Sequence, residues 1–128
     1  MKLKTYLLRH LKSVLSPEGT QHWLQQRLTG LVSIVFGIWF LFVLPGLSAY
    51  NHAELLGWIG DPFHSAMLVI GALIITWHSW LGVQVVIEDY VHDMKIKCFS
   101  LRLSWLLHEL LWIFVLFTVL KIALGGAW

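Results

Sequence analysis

Three stretches of this chain carry almost no charge, and each is long enough to cross a bilayer. The first covers residues 28–47. The second covers residues 63–87, with no acid and no base except His64 and His78. The third covers about residues 103–124, with Glu109 and Lys121 toward its ends. A helix crossing the hydrocarbon core needs about 20 apolar residues, and in lipid its backbone must satisfy its own hydrogen bonds. The expected fold is therefore an all-α membrane protein with three transmembrane helices in one domain over residues 1–128. The spans are placed at about 26–47, 63–90 and 103–125. With 58% hydrophobic and only 12% charged residues, the chain is too apolar for a soluble fold.

Basic residues orient the spans. Lys2, Lys4, Arg9, Lys12 and Arg27 precede the first, and Lys95, Lys97 and Arg102 lie between the second and third. The loop expected over residues 48–62 has no Lys or Arg but carries Glu54 and Asp61. The positive-inside rule puts the N-terminus and the second connection in the cytoplasm. Lys121, the exception, has a stem long enough to reach the outer surface. Residues 1–20 place Leu3, Tyr6, Leu7, Leu11, Val14 and Leu15 at roughly helical spacing without a continuous apolar core. They read as a short amphipathic segment on the membrane surface rather than a cleavable signal. Cys98 is the only cysteine, which leaves no disulfide and no thiolate metal site. The net charge of +2 follows from topology and asks for no nucleic acid.

The second span carries the chemistry. His78 lies deep in its apolar run, where an imidazole is costly unless paired or bound. At 100° per residue, Gly71, His78, Gly82 and Asp89 share one face. Small residues above and below a histidine admit another helix, or a flat bulky group. Haem is such a group, and a neutral imidazole serves as an axial ligand of its iron. A ligand imidazole needs its other nitrogen hydrogen-bonded, with the Ile74 carbonyl and the Thr76 hydroxyl as candidates on the same helix. The competing reading is that His78 only ties two helices together. His10, His22, His52, His64, His92 and His108 are read as lying at or beyond span ends, so a second axial ligand is expected from another subunit.

The cytoplasmic ends hold a second constellation. Asp89 and Tyr90 close the span, about 16 Å from His78 at the helical rise. A phenol at the lipid boundary can donate to a quinone carbonyl, and an adjacent carboxylate can relay protons; an aromatic belt residue is the alternative for Tyr90. Arg27, at the same level, suits a carboxylate such as Asp89 or a haem propionate, and His22 could add a donor. An ordinary positive-inside anchor and an exposed interfacial residue are the alternatives for these two. Gly30, Ser33 and Gly37 follow Arg27 as a small-residue strip suited to close helix packing.

His78-x-Trp80-x-Gly82 followed by Val86-Ile87-x-Asp89-Tyr90-Val91 resembles the second helix of the hydrophobic membrane anchor subunit of succinate dehydrogenase. His22-Trp23-Leu24-Gln25-Gln26-Arg27-Leu28-Thr29-Gly30 resembles that family's entry into its first helix. The resemblance implies that His78 is one axial ligand of haem b, the other coming from the larger cytochrome b anchor subunit. It implies that Tyr90 binds ubiquinone with Asp89 beside it, and that Arg27, and His22 with it, approach a haem propionate. Iron–sulfur and flavoprotein subunits would dock on the cytoplasmic side, and this subunit would not catalyse by itself. The expected location is the bacterial inner membrane, multi-pass. A haem-free structural anchor and the anchor of a fumarate reductase-type quinol enzyme are the rival readings.

Overall fold

The computed structural model describes residues 17–125, and the expected surface segment falls mostly outside them, over residues 1–16. Among the described residues the chain is all helix: α1 (Pro17–Leu47), α2 (His52–Gly60), α3 (Pro62–Tyr90) and α4 (Met94–Ala123). Three of these are long and apolar enough to cross a membrane, over Thr20–Leu47, Pro62–Tyr90 and Met94–Ala123.

Short polar residues set the boundaries. The expected loop after α1 instead contains α2. Asn51 caps α2 by accepting from the Glu54 amide at 3.0 Å, and the Glu54 carboxylate accepts from the Asn51 amide at 2.8 Å. That reciprocal pair satisfies two helix-end donors together. Asp61 ends α2 and caps α3, accepting from the Phe63 and His64 amides with Pro62 in the first turn. Asp93 does the same for α4, accepting from the Lys95 and Ile96 amides at 2.9 and 3.0 Å. The cap starts α4 at Met94, well ahead of its apolar run. Lys95, Lys97, Cys98 and Arg102 therefore ride on the first turns of a helix, and the connection itself shrinks to residues 91–93.

Helix α3 is the centre of the fold. It packs against α1 on one side and α4 on the other, and α1 and α4 are not closely packed on each other. Gly71 of α3 lies under Phe36, whose ring would stand 2.9 Å from a Cβ at that position. At the far end α2 packs against α3 and α4. There Trp39, Trp58 and His64 stack in sequence, with ring centroids 6.2 Å and then 4.1 Å apart, linking α1, α2 and α3. Leu81 and Val119 are the buried hydrophobic side chains among the described residues, while most large apolar side chains of the long helices are exposed. In water such a surface would drive association; on a spanning helix it is what lipid or a partner helix covers.

Candidate functional site

One face of α1 stays polar as the helix enters its apolar run. His22, Gln26, Thr29 and Ser33 recur at steps of four, three and four, the spacing of a single stripe. Backbone carbonyls take up the hydroxyl protons. Thr29 Oγ1 donates to the Gln25 carbonyl at 2.7 Å, and Ser33 Oγ donates to the Thr29 carbonyl at 2.7 Å. Such back-bonding lets a hydroxyl sit in an apolar helix without an unsatisfied donor.

This stripe faces the α3 surface that carries His78. Thr29, only 7% exposed, lies 3.1 Å from His78 Nδ1. A Cβ on Gly30 would stand 3.2 Å from His78 Cε1, so the imidazole is seated against bare α1 backbone. One turn on, Gly82 faces the Gln26 side-chain amide. The shared face of Gly71, His78 and Gly82 is thus met by Phe36, Gly30 and Gln26 of α1. Helix packing occupies it, and the residue that makes room for the imidazole is on α1. The partner of Nδ1 is likewise neither Ile74 nor Thr76: the Thr76 hydroxyl donates to the Ala72 carbonyl, and Thr29 of the neighbouring helix takes the role. Of the strip after Arg27, Gly30 is a contact point, whereas nothing lies within 4 Å of a Cβ on Gly37.

His108 does not lie at a span end. It lies beside Ser79, one residue past His78, with Nε2 3.1 Å from the Ser79 hydroxyl. Its Nδ1 donates to the Ser104 carbonyl at 2.7 Å, so both nitrogens are engaged. It sits in the α3–α4 seam, about 100° around α3 from His78. Glu109 is its neighbour, lining a cavity of about 270 Å³ with Trp77, Trp80, Trp105 and Trp112.

The remaining site residues lie nearer the charged ends. Asp89 and Tyr90 end α3, both exposed, Tyr90 by 78%. The helix ends there as Val91 turns to extended backbone, its amide still closing on the Ile87 carbonyl, and Lys97 Nζ donates to the Glu88 carbonyl at 2.8 Å. A cation on the last carbonyls also suits the helix dipole. Arg27 does not bridge to Asp89; its guanidinium lies 4.4 Å from the Trp23 ring centroid, a cation–π contact. Among the described residues, His22 Nε2, Gln26 Oε1 and Gln84 Oε1 are buried without a hydrogen-bond partner. Orphaned polar atoms in lipid are costly, so the polar stripe of α1, through His22 and Gln26, carries unused hydrogen-bonding capacity. His78 Nε2 has no hydrogen bond among the described residues. Among the described residues, no three or more His, Cys, Asp or Glu side chains come together as a self-contained metal site. A porphyrin brings four nitrogens of its own, so one free imidazole nitrogen beside unsatisfied polar groups fits half of a haem site.

The family of succinate dehydrogenase/fumarate reductase transmembrane subunits matches over residues 1–120. The chain is 32% identical over 95 residues to a succinate dehydrogenase hydrophobic membrane anchor subunit of Rickettsia prowazekii, covering 73% of this chain and 75% of that protein. The Rickettsia typhi protein of the same name is 33% identical over the same shares. The Rickettsia felis protein is 37% identical over 81 residues, 62% of this chain and 66% of that one. No solved structure matches the chain. With three helices of spanning length and bacterial relatives so named, the location is the inner membrane, multi-pass. The chain belongs to the succinate dehydrogenase/fumarate reductase transmembrane subunit family, as a non-catalytic hydrophobic membrane anchor subunit of succinate dehydrogenase.

Proposed function

We propose that this anchor holds half of a haem b site and part of a ubiquinone pocket in electron transfer from succinate to quinone. His78 would hold the haem from this chain, and the larger cytochrome b subunit would supply the second ligand. The iron–sulfur and flavoprotein subunits sit on the cytoplasmic face, beside the basic first turns of α4 and the end of α3. The observation that carries this reading is His78 itself: an imidazole within a membrane-length helix, held through Nδ1, with Nε2 unused. Bound haem supplies a one-electron relay between the soluble subunits and quinone. The chain's residues do the rest. His78 binds and orients, His22 and Arg27 offer positive or donor groups to propionates, and Tyr90 donates to a quinone carbonyl. Asp89, beside it at the water boundary, passes protons.

The 4.4 Å Trp23–Arg27 contact leaves the guanidinium at the membrane surface, where a propionate or a partner carboxylate can reach it. One observation favours a second reading. The Thr29–His78 bond joins α1 to α3, which is also what a purely structural histidine would do in a haem-free anchor. A reduced-minus-oxidised optical spectrum of the complex purified through this chain separates the two. A b-type band present in the wild type and lost in His78→Ala supports ligation. A complex that assembles without any such band makes His78 a helix tie.

A further inference from the structure

We propose that Thr29 is the positioning residue for His78: it fixes which imidazole nitrogen carries the proton and tunes how strongly the other donates. This rests on the reading of His78 as a haem ligand and adds a residue of a different helix to it.

The argument is one of proton counting. A threonine hydroxyl has a single proton. Thr29 Oγ1 lies 2.7 Å from the Gln25 carbonyl, 3.3 Å from the Gln26 carbonyl and 3.1 Å from His78 Nδ1. Carbonyl oxygens only accept, so the short contact to Gln25 takes the hydroxyl proton. Toward His78 the hydroxyl is then left with lone pairs, and the bond exists only if Nδ1–H donates. A neutral imidazole has one N–H, so Nε2 keeps its lone pair, as metal ligation requires.

The surroundings hold this arrangement in place. Thr29 is buried, so water does not compete for the bond. Branching at Cβ and the back-bond to Gln25 restrict its rotamer. Gly30 lets the ring lie against α1 backbone, where a Cβ would press on Cε1 at 3.2 Å. Donation of the Thr29 proton to a carbonyl also polarises the hydroxyl oxygen into a better acceptor. An N–H bonded to a good acceptor makes the opposite nitrogen a stronger donor, and stronger donation favours ferric over ferrous haem.

The test is a redox titration of the purified complex, with haem retention measured alongside, for wild type, Thr29→Val, Thr29→Ser and His78→Ala. Thr29→Val keeps the shape and removes the acceptor. Its haem midpoint potential should rise, and apparent haem affinity should fall about 10- to 100-fold, the range for losing an outer-shell partner. Thr29→Ser should restore both toward wild type. Should the valine variant fail to assemble, Thr29→Cys, whose sulfur is a weak acceptor, should show the same upward shift in smaller measure. Loss of haem in His78→Ala together with wild-type potential and retention in Thr29→Val overturns the role of Thr29 alone. Haem kept in His78→Ala overturns the ligand reading and this inference with it.

Discussion

At the scale of single residues, the site is set by matches between a side chain and the missing side chain opposite it. His78 rests against Gly30, and Phe36 against Gly71. Gly30→Ala should displace the imidazole and lower haem content of the purified complex, read from its optical spectrum. Thr29 should still be present to bond Nδ1, so the loss is steric. Tyr90 is a separate case, exposed at the end of α3. Tyr90→Phe removes only the phenolic donor. It should slow quinone reduction severalfold while leaving succinate oxidation by an artificial acceptor unchanged; equal rates with quinone would take Tyr90 out of the pocket. His78, Asp89 and Tyr90 stood out in the sequence because charge and polarity are rare in an apolar run. Thr29 did not, since a threonine is unremarkable until something polar is found across from it. The signal was nonetheless there, in the four-three-four recurrence of His22, Gln26, Thr29 and Ser33.

At the scale of helices, caps and contacts decide what apolar length does not. The Asn51–Glu54 box makes α2 a helix where a loop was expected. Asn51→Ala should destabilise that end by about 1 kcal/mol, seen as a small fall in the complex's thermal midpoint without change in haem content. Gly71→Ala should cost more, about 1–3 kcal/mol, because the new methyl meets the Phe36 ring in a packed contact. Helix boundaries were the least legible part. A span is visible as a run of apolar residues, but α4 extends beyond its run because Asp93 supplies two hydrogen bonds to its first amides. The docking of this longer helix on α3 sets His108 beside Ser79, while the Ser104 carbonyl one turn back on its own helix takes the other nitrogen.

At the scale of the whole molecule, a single central helix with one neighbour on each side leaves most of the apolar surface uncovered. Gly37 faces open space on that surface. Cys98, alone and exposed on the first turns of α4, reports orientation. A membrane-impermeant maleimide should label it in inverted vesicles and not in intact spheroplasts; the reverse pattern would turn the molecule over. What the chain's order of residues determined by itself was the class of protein, the three spanning helices and the residues too polar to be there by accident. Apolar length and charge are local properties, readable without knowing what touches what. The pairing of Thr29 with His78, the seat on Gly30, the depth of His108 and the separation of Arg27 from Asp89 were decided only by how α1 and α4 dock on α3. Each depends on the rotation and axial offset between helices, and those are set by packing across residues distant in sequence.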